Sequence, residues 1–170
     1  MTNALQKYPE DKQLFQVLLA TASQMYMNFG FYSNALTTIG QQLQIMPDNP
    51  SALINQGVSF LQLNACEQAI PPLTHALELT STNYTARLNR AIAYLRCGQL
   101  DASEKDYETL QKVAPTAYPI YYGLQEVAYR KKETNATIHY CELYLSNSPS
   151  NPEEIKFINA RLTELKPDSR

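Results

Sequence analysis

The sequence predicts an all-α chain: four helix-turn-helix units stacked as a solenoid and closed by one further helix. Three observations lead there. Prolines recur in phase at 34 residues, asparagines follow them in the same phase, and small and large apolar positions repeat on that period. Pro47, Pro115 and Pro149 share the phase, with Ser81 in the missing place; Asn49, Asn83 and Asn151 lie two residues further on, with Ala117 in the fourth place. A proline cannot continue the helical hydrogen-bond ladder, so it ends one helix. The asparagine then caps the next by accepting from a free backbone N–H. Pro50 and Pro152, directly after their caps, are preset for a first helical turn.

These junctions divide the chain into repeats at 16–49, 50–83, 84–117 and 118–151, in one domain covering 1–170. Helices are expected at 11–29, 33–46, 50–63, 66–79, 84–97, 100–113, 118–131 and 134–147. A ninth, at 152–165, has Ile155, Ile158, Leu162 and Leu165 on one face and sits in the first-helix frame of a fifth, unfinished period. Slots are counted from Gln16, Pro50, Tyr84 and Tyr118. The eighth holds Ser23, Gly57 and Ala91, small enough for a neighbouring helix to approach, and the fourth repeat breaks the pattern with Gln125. The eleventh holds Tyr26, Phe60 and Tyr94, rings that can fill the gap, where the fourth repeat has Ala128. The fifteenth holds Gly30, Asn64 and Gly98, residues suited to a helix C-terminus. The twentieth holds Ala35, Ala69, Ser103 and Thr137, and the twenty-fourth Ile39, Leu73, Tyr107 and Cys141. Pro71 and Pro72 fall early in a second helix, where a kink or late start is expected. Asn151, Glu153 and Glu154 suit the start of the closing helix, by capping and by charge at the positive end of its dipole.

The pattern of small, aromatic, small and proline at these offsets resembles the tetratricopeptide repeat (TPR) family over about residues 11–165. The resemblance implies antiparallel helix pairs stacked into a right-handed superhelix, first helices lining a concave face and second helices a convex one. Repeats of this kind cannot bury their apolar faces alone, so stability approximates a nearest-neighbour sum.

Several function classes are disfavoured. The five glycines are spread out, so no glycine-rich phosphate loop can form. A net charge of −2 argues against a phosphate-backbone partner, hence no nucleic acid. No apolar run reaches the about 18 residues of a membrane span. Cys66, Cys97 and Cys141 are odd in number, widely spaced and without a CxxC pair, which argues against a disulfide framework or a zinc site and for apolar fillers in a reducing, cytoplasmic chain. His75 and His139 read as structural. No nucleophile–base or metal constellation can be assembled, so neither catalysis nor a cofactor is expected. Arg90, at an interior slot, is expected to pair with Asp106. Residues 4–11 resemble the tail of a preceding repeat, which leaves open a chain excised from a longer one.

The expected site is the concave groove. Its sixth slot holds Thr21, Asn55, Asn89 and Gly123, and the resemblance implies that asparagine there bonds the backbone of an extended peptide, a task an amide suits because it both donates and accepts. Around these lie Ile54, Val58, Leu88 and Ile92. Tyr122, Tyr129, Arg96 and Arg130 add the ring and guanidinium chemistry of interface hot spots. Some family members hold acidic C-terminal tails in a two-carboxylate clamp; the corresponding slots here are Ala20, Gln24, Asn55, Thr85 and Asn89, and only Asn55 matches. The sequence thus points to a non-catalytic adaptor for a partner peptide or helix. A self-assembling scaffold (a homo-oligomer) and a secretion-type chaperone for an apolar segment are the alternatives.

Overall fold

The computed structural model describes residues 9–147 and 149–166, with side chains from residue 12 onward. Residues 4–8, part of the segment read as a preceding repeat's tail, lie outside them. The described residues form helices and turns without a strand. The helices are α1 (Pro9–Asn28), α2 (Tyr32–Ile45), α3 (Pro50–Gln62), α4 (Cys66–Leu79), α5 (Tyr84–Arg96), α6 (Leu100–Val113), α7 (Tyr118–Arg130), α8 (Thr134–Ser146) and α9 (Pro152–Leu165). Each lies within about two residues of its expected range.

The in-phase asparagines cap as their chemistry requires. Asn49 Oδ1 accepts from the Ala52 amide at 3.2 Å and Asn83 Oδ1 from the Ala86 amide at 2.9 Å. Asn151 accepts from the Glu153 and Glu154 amides. Ala117, in the fourth place, has no side-chain cap to offer. The helix-to-helix turns are equally periodic. Gly30, Asn64, Gly98 and Lys132 all adopt positive φ, between 59° and 76°. In each turn the next residue's amide donates to the eleventh-slot carbonyl: Phe31 to Tyr26, Ala65 to Phe60, Gln99 to Tyr94 and Glu133 to Ala128, at 2.8–2.9 Å. This bond closes a left-handed C-cap. At Pro71-Pro72 there is no late start: α4 runs through both prolines from Cys66.

The chain divides into two compact units, the first running to Ala93 and the second beginning at Tyr94, within α5. In the first, α1 packs on α2, α2 on α3 and α3 on α4. Its core is three apolar clusters: Ala35, Ile39 and Ala52; Leu53, Ala76, Leu77 and Ala86; and Leu61, Ala69, Leu73 and Ala93. Gly57 is what lets α3 and α4 meet, because a Cβ there would collide with the Leu73 side chain. Arg90, half-buried, donates to Thr74 Oγ1 at 3.3 Å. In the second unit α6 packs on α7, α7 on α8 and α8 on α9. Here Gly123 does the same for α6 and α7, its missing Cβ leaving room for the Tyr107 ring.

The twentieth and twenty-fourth slots are buried in every repeat, with none of their eight residues more than 2% exposed. The eleventh-slot rings are less uniform. Phe60 packs against the Leu61–Leu73 cluster, whereas Tyr26 lies 37% exposed instead of filling a gap.

Candidate functional site

In the first unit, α3 and α5 present matching side chains at matching slots. Ile54 and Leu88 occupy the fifth, Asn55 and Asn89 the sixth, and Val58 and Ile92 the ninth; all six are half-buried. Their position follows from the helix period. The residues α3 commits fully to the core are Ala52, Leu53, Gly57, Ser59 and Leu61, so Ile54, Asn55 and Val58 fall on the flank of that face. Ile54 rests on the Leu53–Ala76–Leu77–Ala86 cluster and Ile92 on Leu61, Ala69, Leu73 and Ala93. Each therefore gives part of its surface to the core and leaves part outside. The Asn89 Nδ2 donates to the Thr85 carbonyl one turn back at 2.8 Å, which sets the orientation of the amide and leaves its oxygen as an acceptor. Gly123, in the sixth slot of the fourth repeat, is buried beneath Tyr107 and presents no side chain.

In the second unit the expected groove residues meet a neighbour the sequence reading did not assign them. The Tyr122 ring lies 5.7 Å from Tyr144 and 6.4 Å from Phe157 of α9. The Arg161 guanidinium, also from α9, sits 3.8 Å over the Tyr129 ring and 4.6 Å from that of Phe157. The Tyr129 hydroxyl donates to Glu164 Oε1 at 3.4 Å. Both tyrosines are thus engaged by the chain's own closing helix. Burial raises the Tyr122 phenol above its ordinary range, and the carboxylates of Glu154 and Glu126 add to the shift. Arg130 is fixed by Glu126 Oε1 at 2.7 Å and by the Leu95 carbonyl at 3.0 Å, while Arg96 is exposed. Tyr129 and Arg130 also line a cavity of about 430 Å³ with Lys132, Thr134, Thr137 and Leu165.

The residues that hold α9 are Gln125, Glu126, Tyr144, Phe157 and Arg161. Arg161 Nη1 donates to Gln125 Oε1 at 2.5 Å and to Glu126 Oε2 at 2.7 Å, and Tyr144 donates to Glu154 Oε2 at 2.7 Å. Gln125 also donates to the Tyr122 carbonyl and accepts from the Cys141 thiol at 3.9 Å, so a fully buried amide is satisfied on both sides. The expected apolar face of α9 is thereby revised: Ile158 is fully buried, and beside it the buried residue is Arg161, with Ile155, Leu162 and Leu165 only half-buried.

The remaining reactive side chains have structural partners. His75 Nε2 contacts Asp48 Oδ1 at 2.9 Å, and the His139 ring lies 5.5 Å from Tyr140. No group of three or more metal-ligating side chains occurs among the described residues. Burial pushes the Cys141 thiol up to about 11, which suppresses the reactive thiolate. Cys66 and Cys97 are each disulfide-bonded, which corrects the reading of them as free apolar fillers. No helix of the described residues is long and apolar enough to cross a membrane.

No family model matches the chain. It is 28% identical over 97 residues to human serine/threonine-protein phosphatase 5, a match covering 57% of this chain and 19% of that protein, so the matched segment spans about a fifth of the relative's length. Among solved structures, the type IV pilus biogenesis factor PilW superimposes with a TM-score of 0.80 at 18% identity, over 99% of this chain and 76% of PilW. YrrB, a TPR protein with an unusual peptide-binding site, gives 0.77 at 15% identity, over 92% and 88%. The first TPR of Spaghetti (RPAP3), bound to the HSP90 peptide SRMEEVD, gives 0.66 at 20% identity, over 69% and 93%. With its in-phase caps and its four equivalent left-handed turns, the 34-residue unit of this chain shares the helix-turn-helix fold of these tetratricopeptide repeat structures.

Proposed function

We propose that the chain is a non-catalytic protein-interaction module that receives an extended peptide, or a helix with apolar side chains, along its first helices. The observation that carries this reading is the slot-for-slot match of α3 and α5. Two amides stand one repeat apart, each flanked by aliphatic side chains only partly committed to the core. An amide pair at a repeat spacing suits the regular backbone groups of a peptide, and the flanking aliphatic surface suits its apolar side chains. The peptide-bound RPAP3 domain shares the fold and supports the mode of use.

The α3 half of this groove does not suit an acidic peptide such as that of HSP90. No lysine or arginine occurs between Gln13 and Ala86, so the first two repeats offer no cation to a carboxylate. A neutral apolar segment fits that surface. The test is affinity capture from native cells followed by mass spectrometry, with Asn55→Ala/Asn89→Ala as the control. Partners retained by the wild type and lost by the double variant support the reading. A partner set unchanged by the double variant overturns it.

A further inference from the structure

The outer face of α1 carries an exposed apolar stripe, separate from the groove residues. In later first helices, the third and tenth slots are the positions that meet the preceding repeat. Ala52 packs with Ala35 and Ile39 of α2, Ala86 with Leu53, Ala76 and Leu77, and Ala93 with Leu61, Ala69 and Leu73. Ser59, Ile120 and Val127 hold the same slots elsewhere and are at most 1% exposed. In α1 these slots hold Leu18 and Met25, larger side chains that are 57% and 54% exposed. With Leu14, and with Phe29 directly after the helix end, they form one stripe, since spacings of four and seven residues return to the same side of a helix. Val17 and Phe31 extend it, both also more than half exposed.

Size and charge identify the occupant. Side chains of this bulk, 54–70% exposed, leave roughly 600–700 Å² open in all, near the about 800 Å² per partner of a stable protein interface. No Asp, Glu, Lys or Arg occurs from Gln13 to Pro47, so the face has no charge to oppose a copy of itself. It also lacks the basic residues with which an interfacial helix holds anionic lipid. We propose that α1 docks on α1 of a second copy, antiparallel about a two-fold axis near Ala22. Because 18 and 25, like 14 and 29, are symmetric about that point, Leu18 meets the second copy's Met25 and Leu14 its Phe29. Ala22, at the centre, is small enough for the helices to approach. A 230 Å³ cavity lined by Ala22, Met25, Tyr26, Phe29 and Phe31 is the recess into which the partner's side chains pack.

The test is sedimentation equilibrium over about 1–100 μM chain, within reach of an interface of this area. Wild type and a Gln41→Glu control are expected to dimerise, and Leu18→Glu/Met25→Glu to weaken the dimer at least about a hundredfold while retaining helical circular dichroism. Should the double variant fail to fold, Ala22→Cys replaces it and is expected to form an α1–α1 disulfide-linked dimer on oxidation; Cys141 is buried and the other cysteines are bonded. A chain that stays monomeric over the series overturns the proposal. So does a dimer indifferent to the α1 charges, an Ala22→Cys chain that does not cross-link, or a monomer that binds neutral vesicles through α1.

Discussion

Arg161 of α9 donates to the buried amide oxygen of Gln125 on α7 at 2.5 Å, across 36 residues of sequence. Gln125 stands in the eighth slot, which the other repeats fill with serine, glycine or alanine. The irregularity of the fourth repeat is therefore a docking site: the amide that breaks the small-residue pattern receives the guanidinium that fastens the last helix. The Tyr129 and Phe157 rings and the Glu126 carboxylate complete its surroundings.

Arg161→Ala should loosen α9. It removes a cation that is 9% exposed and leaves Gln125 Oε1 and Glu126 short of a donor. The cost is about 3 kcal/mol, the low end for a buried pair because Glu126 remains a fifth exposed. Hydrogen exchange of 152–165 should accelerate before that of α7 and α8. Arg161→Lys should not restore protection, since an ammonium cannot span both acceptors and stack on the rings. Unchanged exchange in α9 would show that Arg161 does not hold it.

The same contact should be acid-sensitive. Burial alone would raise the Glu126 carboxyl, but the hydrogen bonds and charges of Arg161 and Arg130 outweigh it and hold the group below its ordinary range. A carboxyl lowered on folding contributes fully above its unfolded value, about 4.3, and loses that contribution as pH falls through the folded value. Melting curves from about pH 6 to about pH 3 should show the loss, and Glu126→Gln should give a flatter profile. Equal slopes in the two proteins would contradict the linkage.

Glycine-to-alanine changes should separate close-packed glycines from a helix glycine with open space around it. In Gly57→Ala the new methyl meets Leu73, which is fully buried; in Gly123→Ala it meets Tyr107, only 2% exposed. Each should lose about 1–3 kcal/mol in urea unfolding through overpacking. Gly40→Ala has open space and should be neutral or stabilising.

Lys132 holds the left-handed position that glycine holds in the first and third repeats, at φ 63°. A residue with a Cβ is strained there, so Lys132→Gly should stabilise by about 0.5–1 kcal/mol after the entropy cost of glycine. Lys132→Val should destabilise, since a β-branched residue is still less tolerant of positive φ. A fall in melting temperature for the glycine variant would refute the strain.

The helices were legible because proline and asparagine act locally: Pro47 and Asn49 mark a boundary whatever surrounds them. The turn at Lys132 was legible only by spacing, since lysine by type suggests no left-handed cap. The α9 site was hidden for a different reason. Tyr122 and Tyr129 fall on groove slots, and the residues that cover them, Phe157 and Arg161, sit in the sixth and tenth slots of a period whose other positions look apolar. Nothing local pairs an arginine with a glutamine 36 residues away. The charge-free stretch from Gln13 to Pro47, by contrast, is plain in the sequence, but its meaning needed the exposure of Leu18 and Met25.

The most direct test of the groove is a titration. Peptides enriched from a random display library on the immobilised chain would be measured calorimetrically against wild type and Asn55→Ala/Asn89→Ala. Two net hydrogen bonds of roughly 0.5–1.5 kcal/mol each predict about tenfold to hundredfold weaker binding to the double variant. Peptides that bind both proteins with equal affinity would contradict a groove built on Asn55 and Asn89.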